Sequence, residues 1–222
     1  MENLQIKPGL FGESVAADSR RLDFDYSNEQ LLYLDKEIDY LFLGDSITHF
    51  WNLNVYFKTD KFLENRGIGG DVSKYLLKRF DADCIQLKPK CAVIMIGAND
   101  IFRTEDDLWY KTVGEDCQIV MEDYKKNISA MIEKCDNAGI EVVLCSVLPS
   151  TIAPPFNRER RWEMTKLMNN YLKSFNRKYV DYHSALTADG HSLPEELSLD
   201  GIHPNAKAYS IMAEVLKKTI DL

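Results

Sequence analysis

Leu41-Phe42-Leu43-Gly44-Asp45-Ser46-Ile47-Thr48 is the stretch on which the fold turns. An apolar run, Tyr40 to Leu43, stops at a glycine and gives way to a carboxylate and two hydroxyls. Read as a strand ending in Gly-Asp-Ser, it sets Ser46 at the carboxyl edge of a sheet, where open α/β sheets bind their ligands. A serine so placed is suited to be a nucleophile. It then needs a base, an acid to orient that base, and hydrogen-bond donors for an oxyanion.

Working outward, strand one covers residues 38–43, and a short second strand covers 62–65. The glycine-rich turn Arg66-Gly67-Ile68-Gly69-Gly70-Asp71 follows, with Asp71 as the expected N-cap of a helix that turns Val72, Tyr75, Leu76 and Phe80 to one side. Residues 91–96, Cys-Ala-Val-Ile-Met-Ile, form the clearest strand, unbroken and apolar as in a sheet covered on both faces. It ends in Gly97-Ala98-Asn99-Asp100. A polar loop is expected over 101–114, then a long helix stopped near Gly139, a strand over 141–147 and a proline-bearing loop over 148–157. A helix carrying Met164, Met168 and Leu172, a last strand over 179–182, a loop over 183–202 and a helix starting at Pro204 complete the chain. On the amino side, residues 1–26 read as an extended lead-in, and Ser27-Asn28-Glu29-Gln30 as a capping box for a helix through Lys36. Strands alternating with helices predict an α/β domain with a parallel sheet. With no repeat and no linker, residues 1–222 read as one domain.

Composition narrows the function. The chain is 45% hydrophobic and 28% charged, enough for a sizeable core. A net charge of −8 argues against nucleic acid as a partner, which needs clustered Lys and Arg. Five scattered cysteines with no C-x-x-C pair predict a reducing compartment, with no disulfide framework and no zinc site. No apolar run approaches the ~20 residues of a membrane span, and none near Met1 reads as a signal peptide. The expectation is a cytoplasmic protein.

The parts that Ser46 needs can be found. Of four histidines only His203 has an acid three residues earlier, in Asp200-Gly201-Ile202-His203-Pro204. A carboxylate at that spacing in a turn can hold Nδ1–H and leave Nε2 free to take the Ser46 proton. Donors for an oxyanion come from the Ser46 backbone N–H at a helix start, the Gly70 N–H and the Asn99 side-chain NH₂. In a sheet of order 2-1-3-4-5, strands one and three flank the switch point. Ser46 and Asn99 lie just past their ends.

Together these blocks resemble the SGNH hydrolases, also called GDSL esterases. Gly44-Asp45-Ser46-Ile47-Thr48 resembles the nucleophile block, and the glycine turn through Asp71 resembles the glycine block. Gly97-Ala98-Asn99-Asp100 resembles the asparagine block, and Asp200-x-x-His203 the terminal one. The branch most alike is that of platelet-activating-factor acetylhydrolase catalytic subunits and microbial carbohydrate acetylesterases. Many members have Thr where this chain has Ala98. The resemblance implies a flavodoxin-like three-layer α/β/α sandwich with a five-stranded parallel sheet, and a serine esterase using neither metal nor other cofactor. It implies Ser46, Asp200 and His203 as catalytic triad, and Ser46, Gly70 and Asn99 as oxyanion hole. A small-molecule ester, acetylated above all, is the implied substrate, and a homodimer the implied assembly.

Two other readings compete: a lysophospholipase or thioesterase acting on longer acyl chains, and a sugar- or phosphate-binding module without chemistry. Asp45 reads as a turn-holding residue and Asp100 as a cap or brace for its loop. His49, His183 and His191 read as surface or supporting residues. Phe50, Trp51, Phe102, Trp109 and Phe156 read first as core, those on loops at the carboxyl edge being the alternative lining of an acyl or sugar site, and Arg158, Arg160 and Arg161 read as a solvated helix face.

Overall fold

The computed structural model describes residues 5–9, 11, 15–106, 113–151 and 157–222. Trp109, Tyr110, Pro154, Pro155 and Phe156 lie outside these. The elements run α1 (Val15–Tyr33), β1 (Tyr40–Gly44), α2 (Ser46–His49), α3 (Leu53–Tyr56), β2 (Leu63–Gly67), α4 (Ser73–Phe80) with a π turn at Asp81–Ile85, β3 (Cys91–Met95) and α5 (Ala98–Phe102). They continue with α6 (Cys117–Ala138), β4 (Glu141–Cys145), α7 (Arg158–Lys173), β5 (Lys178–Val180), α8 (Tyr182–Leu186) and α9 (Ala206–Lys217). The sheet is parallel in order β2-β1-β3-β4-β5, as expected.

Alternate side chains of the central strands leave on opposite faces, so each strand feeds two cores. Leu41, Leu43, Ala92, Ile94, Val142 and Leu144 pack with α4, α6 and α7. Phe42, Val93, Met95, Val143 and Cys145 pack with Trp51, α8 and α9. That makes three layers. It also explains why β1, β3 and β4 read as continuous apolar runs without alternation.

The amino-terminal expectation is corrected. Residues 15–26 are not extended: α1 starts at Val15, and Ser27-Asn28-Glu29-Gln30 lie inside it, so they cap nothing. The helix expected through Lys36 is the second half of α1, and its first half is hidden in the sequence because what it buries is largely polar. Arg21 and Asn28 are buried with Phe24. Arg21 donates to Asp71 at 3.0 Å, and Asn28 donates to Asp83 at 3.0 Å and accepts from Arg66 at 2.7 Å. Two start signals also shift. Val72, not Asp71, is the N-cap of α4, and α9 is capped by Asn205, whose side chain accepts from Lys207 and Ala208 N–H. Residues expected in the loop after β3 instead form α5.

Candidate active site

Gly44 ends β1 where β3 and α2 converge; a Cβ there would run into the Met95 carbonyl and the Thr48 hydroxyl. Asp45 caps α2, its carboxylate accepting the Ile47 N–H at 2.9 Å. Ser46 is thereby set on the first turn of a helix at the carboxyl end of the sheet. Its Oγ is 2.8 Å from His203 Nε2. His203 Nδ1 is 2.6 Å from Asp200 Oδ2, while Asp200 Oδ1 accepts the backbone N–H of His203 at 2.8 Å and of Ile202 at 2.9 Å and the Ser198 hydroxyl at 3.1 Å. Burial opposes the Asp200 charge, but the His203 ring and these N–H groups outweigh it and hold the carboxyl well below the usual carboxylate range. The three side chains expected from the sequence are thus brought into one hydrogen-bonded chain.

The glycine turn lies against them. Ile68 N–H donates to Gly44 O at 3.1 Å, and Asp71 N–H to Ile68 O at 3.2 Å. Gly70 has φ +84°, which makes Ile68–Asp71 a type II turn and calls for glycine at its third position. Asn99 stands on the first turn of α5 and donates from Nδ2 to the Asp71 carbonyl at 3.0 Å. One of its two amide hydrogens is spent on orientation, and the other remains. Gly70 and Asn99 line one groove of about 510 Å³, together with Tyr75, Phe102, Arg103 and Glu115.

Behind these groups is a buried polar layer that the sequence did not reveal. The Asp71 carboxylate takes hydrogen bonds from Arg21 and, at 2.7 Å, from Arg79; Arg79 also donates to Asp83 at 2.9 Å and to Gly44 O at 3.1 Å. One guanidinium therefore ties the glycine turn to the end of β1. Asp100, fully buried, accepts Ser73 N–H at 2.8 Å and Ser73 O–H at 2.6 Å. It supplies from α5 the cap that Asp71 was expected to give α4. Burial pushes the Asp45 carboxyl up to about 7 and the Asp100 carboxyl up to about 6, in the latter case against the Ser73 hydrogen bonds. His49 is half-buried, and its Nδ1 accepts the Gly69 N–H at 3.3 Å; burial lowers its pKa, favouring the neutral, accepting ring. The only signals for this layer were charged residues in otherwise apolar surroundings, whose partners are far off in sequence.

Other expectations divide. Trp51 is core, but Phe50 is exposed and meets the His203 ring edge-on at 5.4 Å between centroids. His183 and His191 line a separate hollow beside α7, where His191 stacks on Trp162. Arg161 is not on a solvated face: it is 3% exposed.

Known proteins share this arrangement of elements. The chain is 24% identical over 211 residues to an acetylxylan esterase of Xylanibacter ruminicola, covering 80% of this chain and 42% of that one. It therefore spans less than half the length of that relative. An acetylxylan esterase of Geobacillus stearothermophilus is 23% identical over 159 residues, 70% of each chain. The crystal structure of a GDSL-like lipase from Bacteroides thetaiotaomicron superposes with a TM-score of 0.71 at 28% identity, covering 89% of this chain and 95% of the other. The sequence profile of the GDSL-like Lipase/Acylhydrolase family matches residues 42–211, from the strand before Ser46 to the helix after His203, and the chain belongs to that family.

Proposed function

We propose that the chain is a serine esterase that removes short acyl groups, acetyl above all, from a hydroxyl-rich alcohol such as a carbohydrate. The hydrogen-bonded chain from Asp200 through His203 to Ser46 carries the reading. Ser46 Oγ attacks the ester carbonyl while His203 Nε2 takes its proton, and Asp200 holds the ring and stabilises the imidazolium. The tetrahedral oxyanion is received by the backbone N–H of Ser46 and Gly70 and by the free amide hydrogen of Asn99. His203 then passes the proton to the leaving alkoxide oxygen, freeing the alcohol and leaving an acyl-serine. Water, activated by the same imidazole, attacks that ester; the carboxylic acid departs and Ser46 regains its proton.

The spaces beside the site support the choice of substrate. The groove running from Gly70 and Asn99 offers Tyr75 and Phe102 together with the ion pair of Arg103 and Glu115, at 2.7 Å. Rings and charged groups together suit a polyhydroxylated alcohol better than a lipid tail. The acetylxylan esterase relatives support the same choice.

Initial rates on p-nitrophenyl esters of increasing acyl length, wild type beside Ser46→Ala, test the reading. The expected result is fastest turnover of the acetate and its loss in the variant, with the melting temperature little changed. Full activity in Ser46→Ala would remove the mechanism. A wild type that neither cleaves any ester nor reacts with a fluorophosphonate would be a binding module.

A further inference from the structure

A second, much smaller space adjoins the site. Its lining includes Ile47, Ala98 and Ile202, which are next in sequence to Ser46, Asn99 and His203. Ser150, Arg161 and Thr165 line it too. It measures about 10 Å³, roughly what one water-sized or methyl-sized group fills. Ser46, Asn99 and His203 do not themselves line it, but a residue next to each of them does, and that is the ground for taking it as the space that receives the carbon chain of an acyl group.

Arg161 is the unusual member of that wall. It is only 3% exposed, and among the described residues no carboxylate lies within ion-pair distance of it, although the buried Glu105 carboxylate is near enough to favour its charge. Nε and Nη2 reach only the Ser150 hydroxyl, each at 3.3 Å, and Nη1 has no hydrogen-bond partner. The guanidinium carbon lies over the Phe102 ring, 4.0 Å from its centroid, a cation–π contact that helps to hold the group there. Burial lowers its pKa to about 10, so the group is still a cation at neutral pH. Buried charges are ordinarily paired, because an unpaired one costs several kcal/mol. A solvated helix face would have been the cheaper place for this residue, and its neighbour Arg160 is bonded to the Thr104 carbonyl.

We propose that Arg161 sets the acyl-length limit of the enzyme, by closing the acyl space with a guanidinium that an alkyl chain can neither displace nor lie against. The inference rests on the serine-esterase reading. An acetyl methyl ends short of the guanidinium. A butyryl or hexanoyl chain must either push it off the Phe102 ring or be buried against an unpaired cationic N–H, and both are unfavourable. Exclusion therefore has a steric part and a polar part. Replacing the guanidinium with an apolar group of similar length removes the polar part; truncating it removes both.

The test compares kcat/KM for p-nitrophenyl acetate, butyrate, hexanoate and hemisuccinate in wild type, Arg161→Met and Arg161→Ala. The ratio of hexanoate to acetate within one preparation does not depend on how much of it is folded. In wild type that ratio should be small. It should rise by about tenfold or more in Arg161→Met, the scale of one or two methylenes accommodated in a pocket, and further in Arg161→Ala. An unchanged ratio in an active variant overturns the proposal and leaves the serine mechanism standing. Hemisuccinate cleaved faster than acetate by wild type also overturns it, since Arg161 would then be receiving a carboxylate; that arm needs no variant to fold. A wild type inert to every ester overturns the esterase reading and this proposal together.

Discussion

At the scale of single residues, the site works through side chains whose freedom is removed by one bond so that another can be used. Asn99 is the clearest example. Its bond to the Asp71 carbonyl at 3.0 Å fixes the amide plane and leaves one hydrogen for the oxyanion of the proposed reaction. Asn99→Ala should lower kcat on acetate esters by about 10²–10³ with little change in KM, because a donor of this kind acts mainly on the transition state. A loss of under threefold in steady-state assays would exclude Asn99 from the reacting centre. These residues were legible in the sequence because each lies in a short contiguous block, where the chemistry and the turn are written together. The exchange of duties between Asp71 and Asp100 was not. Asp71 had the right position for a cap, but Arg21, 50 residues away, and Arg79 claim its carboxylate, while Asp100 reaches across 27 residues to Ser73. Nothing in a window of local sequence distinguishes those outcomes. Arg161 was misread for a related reason: beside Arg158 and Arg160 it looked like one more exposed cation, and only the fold buries it.

Among the elements, α4 and α5 form the frame of the proposed oxyanion hole. The first follows the glycine turn and the second carries Asn99, and Asp100 joins them through Ser73 N–H and O–H. Asp100→Ala should cost about 1–3 kcal/mol of stability in urea unfolding, the range for a buried donor left without its acceptor, and should lower kcat as well. Asp100→Asn keeps one acceptor and should recover part of both. A variant that lost stability and kept full kcat would show that the two helices need no shared anchor for catalysis. The strands and most helices were readable because their burial is apolar and periodic. In contrast, α1 makes its strongest buried contacts through Arg21 and Asn28. A helix held by long-range polar bonds leaves no hydrophobic stripe to detect.

For the molecule as a whole, the carboxyl edge of the sheet gathers Asp45, Asp71 and Asp100 into buried surroundings, and this has a price in stability that depends on pH. Burial raises the Asp45 carboxyl from 3.8 to about 7. Between those values the folded chain holds a proton that the unfolded chain has released, so stability falls as pH rises. The contribution is fully present below the unfolded pKa and is gone once pH passes the folded one. Other groups titrate too, Asp200 in the opposite sense, so the informative quantity is the difference between wild type and Asp45→Asn. The asparagine can still accept the Ile47 N–H that caps α2, and it carries no charge at any pH. Relative to this variant, wild type should lose on the order of 2–3 kcal/mol between pH 5 and pH 8. Urea unfolding at the two pH values measures it directly. A difference that stays flat would mean that the Asp45 carboxyl titrates alike in the folded and unfolded chain. Asp45 would then impose no electrostatic cost on the fold, and any such cost of the buried layer would lie with Asp71 and Asp100.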